Sequence, residues 1–197
     1  MLTLNGVGIS RGGWPVLDGI DLSLAAGELV LVKGPNGIGK TTLLRTISGL
    51  QNPDSGSIDR PEGGLAYSGH LDGLKSNLSV RENLTFWASI YGAQGIDAAL
   101  DAFALRSLAR RRVASLSAGQ RRRAGLSRLV LSGAPLWIMD EPTTSLDQAN
   151  SARVVDALRA HVASGGAAIV ATHLDLGVEA RMFDLEPFRP ELSEAPL

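Results

Sequence analysis

The stretch Leu29-Val30-Leu31-Val32-Lys33-Gly34-Pro35-Asn36-Gly37-Ile38-Gly39-Lys40-Thr41-Thr42-Leu43-Leu44 decides the fold class. Leu29 to Val32 is an uncharged apolar run of strand length, the pattern of a strand buried on both faces. Residues 34–41 then match G-x-x-x-x-G-K-[ST] at every fixed position. Glycines at those places let backbone N–H groups curl around phosphate oxygens with no side chain in the way. Thr41 to Ile47 carries apolar positions at helical spacing and is closed by Gly49. A strand, a glycine-rich loop and a helix in that order are the context this phosphate-binding pattern requires, and they argue against a chance glycine-rich turn.

Upstream, Val16 to Leu24 alternates apolar and polar residues before Ala26-Gly27-Glu28 turns the chain, so the first sixty residues read as strands and turns. From Val80 to about Leu131 helical spacing takes over, with little strand signal. Leu136 to Met139 predicts another buried strand, Asp147 to Val162 a helix and Ala167 to Ala171 a further strand. Strands alternating with helices imply an α/β fold with a mostly parallel core sheet. The expected organisation is one domain. Residues 1–79 and 132–186 form the core with an N-terminal antiparallel β subdomain, 80–131 an inserted helical subdomain, and the proline- and glutamate-rich 187–197 a frayed tail.

The bulk properties exclude more than they identify. A length of 197 residues, 44% of them hydrophobic and 20% charged, suits one globular core. A net charge of −1 supplies no global field toward nucleic acid or anionic lipid, and the lack of cysteine removes disulfides, thiolate metal sites and cysteine nucleophiles. The N-terminus lacks the basic start and apolar run of a signal peptide, and no apolar run approaches the roughly 20 residues a bilayer helix needs. A transport role would therefore require another chain to supply the pore.

Within the loop, Gly34, Pro35, Asn36, Gly37, Ile38, Gly39, Lys40, Thr41 and Thr42 would wrap a nucleotide's phosphates. Lys40 would reach the β and γ groups and the Thr41 hydroxyl would coordinate Mg²⁺. Leu136-Trp137-Ile138-Met139-Asp140-Glu141 offers the matching carboxylates. Asp140 at the strand end would hold the metal, directly or through water, and Glu141 could act as general base on the attacking water. Taken alone, such an acid pair also suits the start of a helix after a core strand.

Between these elements lies Leu116-Ser117-Ala118-Gly119-Gln120, which resembles the signature sequence of the ABC ATPases. Pro142-Thr143-Thr144-Ser145-Leu146-Asp147 is similar to that family's D-loop, and His173 to its switch histidine, all in the family's order. The resemblance implies ATP and Mg²⁺ as cofactors, with Glu141 and His173 catalytic. It further implies a head-to-tail homodimer in which Ser117 and Gly119 of one copy close over ATP held by the other copy's loop. Ala118 replaces a glycine there but still permits close backbone approach.

Two positions depart from the family pattern. His70, in Leu65-Ala66-Tyr67-Ser68-Gly69-His70, stands where a glutamine is usual, and Arg11, with Trp14 nearby, stands where an aromatic usually stacks on adenine. Arg110 to Arg112 and Arg121 to Arg123 read as a solvated basic face, some members reaching a partner's acids or phosphate; without interleaved aromatics they suggest no nucleic-acid partner.

Within the family, the short chain, the Gly69-His70 pair and the spelling Leu-Ser-Ala-Gly-Gln followed by arginines are most similar to the ATP-binding subunits of the haem exporters of cytochrome c maturation. That resemblance implies a peripheral subunit on the cytoplasmic face of a bacterial inner membrane, working with integral membrane permease subunits. A transporter ATPase for another substrate, or a soluble ABC ATPase acting on ribosomes or DNA, is the competing reading. No Cys-x-x-Cys-His marks haem binding by this chain, and His161 reads as a helix surface residue.

Overall fold

The computed structural model describes residues 1–174 and 176–190. Strands β1 (Leu2–Arg11) and β2 (Trp14–Leu24) pair antiparallel through a two-residue turn. Gly12 and Gly13 both have positive φ there (61° and 82°), the combination that matches the twist of a tight hairpin and suits glycine. β3 (Leu29–Lys33) leads through the glycine loop into α1 (Lys40–Ile47). Then come β4 (Ser55–Asp59), which completes a three-stranded antiparallel sheet in the order β2-β1-β4, and β5 (Leu65–Ser68).

The helical insertion comprises α2 (Val80–Tyr91), α3 (Asp97–Ala102) and α4 (Ala118–Ser132), with two short 3-10 turns between α3 and α4. Ser79 with Glu82, and Ser117 with Gln120, form reciprocal capping boxes that fix where α2 and α4 begin. The core resumes with β6 (Leu136–Asp140), α5 (Gln148–Ala163, capped by Asp147), β7 (Ala167–Ala171) and β8 (Arg181–Asp184). The second sheet runs β5-β6-β7-β3-β8, parallel at every pairing.

Strand alternation sorts the core into two layers. Val30, Val32, Ile138 and Ile169 face α1 and the antiparallel sheet, packing with Leu4, Ile20, Leu43 and Leu44. Leu29, Leu31, Trp137, Met139 and Val170 face the opposite way, against α2 to α5. Side chains alternate across a strand, so a strand covered on both faces is apolar on both, as β3 is from Leu29 to Val32, β6 from Leu136 to Met139 and β7 throughout.

Two expectations for polar residues are corrected. Arg122 and Arg123 are buried, 6% and 9% exposed, so that part of the basic run is no solvated face. Arg123 donates from Nη1 to the carbonyls of Phe103 and Ala104, tying α4 to the end of α3. His161 is half-buried and stacked on Trp137, ring centroids 4.0 Å apart, with Nε2 against the Ala167 carbonyl; burial lowers its pKa below the usual histidine value. Of the expected tail, Glu186–Phe188 forms a 3-10 turn with Phe188 stacked on Phe183, and 191–197 lies outside the described residues.

Candidate nucleotide site

Four neighbouring strands deliver the candidate residues at their C-terminal ends. β5 ends two residues before His70, β6 ends on Asp140, β7 ends two residues before His173, and β3 opens the glycine loop. In open parallel sheets this edge is where ligands bind, because the loops leaving it carry the free backbone groups.

The loop's backbone is specialised. Gly34, Gly37 and Gly39 have φ of 133°, 84° and 117°. A Cβ on Gly39 would approach Val16 Cγ1 to 2.7 Å, so the loop can pass under β2 only as glycine. Gly39 also N-caps α1 without a side-chain hydrogen bond, leaving the first-turn amides and the positive helix end for an anion. The Lys40 ammonium folds over the loop, donating to the carbonyls of Gly34 (2.8 Å) and Pro35 (3.1 Å).

The carboxylates sit where the spacing places them. Asp140 is 1% exposed, and the Thr41 hydroxyl donates to its Oδ2 at 2.7 Å. His70 Nε2 lies 3.4 Å from the same oxygen. Burial, with the Asp140 charge adding to it, raises the pKa of Tyr67 in β5. Glu141 leaves the strand with φ of 46°, a left-handed conformation that costs a non-glycine residue about 1 kcal/mol or more and is met mainly at functional positions. Its amide still donates to the Ala171 carbonyl, while its side chain turns to His173, whose Nδ1 is 3.1 Å from both carboxylate oxygens. Nδ1 is thus the ring nitrogen turned to Glu141, and as the donor to that carboxylate it would leave Nε2 to face a ligand.

Arg11, Val16, Asn36, Gly37, Gly39, Lys40, Thr41, Thr42, His70, Asp140 and Glu141 line one cleft of about 260 Å³. Arg11 thus stands at the predicted nucleotide site, whereas exposed Trp14 does not line this cleft. Gly34, Pro35 and Ile38 complete the loop around it. The signature residues are elsewhere. Ser117 caps α4, and Gly119 packs so tightly on the D-loop that a Cβ would lie 2.8 Å from the Ser145 carbonyl. Neither lines the cleft.

Sequence reasoning missed Lys33, whose ammonium donates to the carbonyls of Thr172 (3.2 Å) and Leu174 (3.3 Å) and so holds the backbone on both sides of His173. The only signal was a lysine ending an otherwise apolar strand. It also missed Arg122, hidden as the middle member of a basic triplet.

Comparison with known proteins supplies the family and the fold. The ABC transporter family pattern matches residues 17–144. The cytochrome c biogenesis ATP-binding export protein CcmA of Rhodobacter capsulatus is 54% identical over 196 residues, covering 99% of this chain and 92% of that protein. The protein of the same name from Paracoccus denitrificans is 52% identical over 190 residues, covering 96% and 90%. Among solved structures, a putative ABC transporter ATP-binding protein from Pyrococcus furiosus superposes with a TM-score of 0.85 at 26% identity, covering 96% of this chain and 99% of that one. An ATP-binding cassette in a dimeric, post-hydrolysis state with ADP and Pi shares the fold, with a TM-score of 0.80 at 23% identity over 94% of each chain.

Proposed function

Because the chain belongs to the ABC transporter family and is one of its ATP-hydrolysing members, we propose that it drives the haem export or release step of cytochrome c biogenesis. The identity of about half of all residues over nearly the full chain, to proteins named for that system, carries the pathway. The chemistry rests on one observation: the Thr41 hydroxyl and the Asp140 carboxylate meet at 2.7 Å directly before Glu141, which His173 holds.

Those two oxygens are hard donors of the kind Mg²⁺ takes, with phosphate oxygens and water filling its remaining positions. Bound there, the metal would neutralise charge on the β and γ phosphates. The residues do the rest. Lys40 leaves the Gly34 and Pro35 carbonyls for the phosphates, and the α1 amides supply hydrogen bonds. Glu141 accepts a proton from water as its oxygen attacks the γ phosphorus and the bond to the ADP oxygen breaks. His173, held through Nδ1, presents Nε2 toward the γ phosphate. Arg11 offers a planar cation for the base, and His70 is placed to report on Asp140.

The cleft is lined by the loop and the acids but not by Ser117 or Gly119. That separation supports a half-site closed by Ser117 and Gly119 of a second copy in a head-to-tail homodimer. Leu71, one residue after His70, and Phe86 and Ile90, four apart on α2, are apolar side chains left 87%, 46% and 59% exposed. We infer that integral membrane permease subunits dock there, holding this subunit at the cytoplasmic face of the inner membrane; no helix among the described residues is long and apolar enough to cross a membrane.

Glu141→Gln tests the site: turnover is expected to fall about 100- to 10,000-fold with ATP binding intact and a dimer trapped. Normal turnover by this variant sinks the general-base assignment. Co-purification tests the pathway, and recovery with ribosomes in place of a membrane complex would overturn it.

A further inference from the structure

Arg122 lies one turn into α4, behind the signature, and is 6% exposed. Its guanidinium has five N–H groups, and each finds an acceptor. Nε donates to the Pro142 carbonyl at 3.3 Å. Nη1 donates to the Gly69 carbonyl at 2.7 Å and to Asp72 Oδ1 at 3.4 Å. Nη2 donates to the carbonyls of Asp140 and Glu141 at 2.9 and 3.0 Å. The approach of these segments is built in, because a Cβ on Gly125, one turn further along α4, would lie 2.7 Å from the Asp72 Cβ.

We propose that Arg122 is a positioning residue for hydrolysis, fixing the Glu141 carboxylate through its backbone and linking the signature helix to the His70 loop. It grips three successive carbonyls at the point where Glu141 takes its left-handed φ of 46°. A residue in that conformation returns to a common one unless its surroundings hold it, and a return would swing the carboxylate away from the water and from His173. The same guanidinium holds Gly69, the residue before His70. When Ser117 meets nucleotide held by a second copy's loop, α4 moves with it, so Arg122 would convey closure of the dimer to both Glu141 and His70 of its own chain. Lysine cannot substitute, since a compact ammonium with three donors does not reach carbonyls spread around a planar fork.

The inference rests on Glu141 being the general base, and the test separates the two. Steady-state and single-turnover ATP hydrolysis are measured for Arg122→Lys, Glu141→Gln and the double variant, alongside nucleotide affinity and thermal midpoint. Arg123→Lys, which disturbs a buried arginine bonded only to the α3 end, controls for stability loss. Arg122→Lys is expected to lower kcat about 100-fold, the scale of a catalytic group displaced by about 1 Å, with KM and ATP affinity within about twofold. In the double variant, single-turnover hydrolysis should match Glu141→Gln alone, because one effect acts through the other. Arg123→Lys should lower the thermal midpoint with kcat kept within about twofold. Wild-type kcat in Arg122→Lys, an equal fall of kcat in Arg123→Lys, or a further full loss in the double variant overturns the proposal. Normal turnover by Glu141→Gln instead overturns the assignment beneath it. Should Arg122→Lys not fold, Arg122→Gln, whose amide serves one or two of the carbonyls, takes its place with the same outcomes.

Discussion

Two helices in this molecule begin at motifs assigned to the same nucleotide, and they begin differently. α1 starts at Gly39, which has no side chain and makes no side-chain cap. α4 starts at Ser117, whose Oγ accepts from the Gln120 amide at 3.2 Å while Gln120 Oε1 accepts from the Ser117 amide at 3.1 Å. The first helix end is left open for an anion; the second satisfies itself. A chain alone is thus prepared to hold phosphate at the loop, whereas at the signature a phosphate must compete with the chain's own cap. α2 starts with the same reciprocal box at Ser79 and Glu82, so the closed start is the ordinary one and the open end of α1 is the exception.

The comparison breaks most directly at Lys40. Lys40→Ala should weaken ATP binding about 100-fold, the order that loss of a charge-assisted contact brings, and titration of a fluorescent nucleotide reads it. Ser117→Arg should keep ATP affinity but block closure. Mixed together, the two variants should recover hydrolysis that neither has alone, since one supplies an intact loop and the other an intact signature. No recovery on mixing would mean that loop and signature do not meet across two copies.

Removing the cap on α4 is a smaller change. Ser117→Ala should cost about 1 kcal/mol of stability, the usual value of a serine N-cap, and lower the thermal midpoint by about 2–4 °C in a chain of this size. ATP binding to the single chain should be unchanged, because Ser117 does not line the cleft. A fall in single-chain affinity equal to that of Lys40→Ala would erase the distinction between the two helix starts.

Which of these features the sequence discloses follows from how local each one is. The glycine loop, the Asp140-Glu141 pair and the Ser117 cap are set by residues within a few positions of one another, and β3, β6 and β7 announce themselves by apolar runs of four or five residues. β8 does not, because Arg181-Met182-Phe183-Asp184 is a short edge strand with exposed ends and neither alternation nor an apolar run. The buried Arg122 was illegible for another reason. Its partners lie at Gly69, Asp72 and 140–142, so its burial is decided by loops that cross α4 from distant parts of the chain, while its neighbours in sequence read as an ordinary basic face. His161 is similar: its stack on Trp137 depends on how α5 lies across β6, which no helical spacing encodes.

The finest test of the two helix starts is Gln120, the other half of the box. Gln120→Ala leaves the Ser117 hydroxyl bonded to the residue-120 amide and removes only the return bond to the Ser117 amide, which is exposed and can turn to water. The expected loss is therefore about 0.5 kcal/mol, at the low end for a single hydrogen bond, and about half the shift in thermal midpoint expected for Ser117→Ala. Hydrolysis should respond in the same order, Ser117→Ala falling further than Gln120→Ala, because the serine oxygen accepts from the Gln120 amide and in the proposed closed site would still have its O–H to donate to phosphate. Equal losses from both variants would mean that the box matters only as a helix cap, and that the hydroxyl has no separate part in closing the second site.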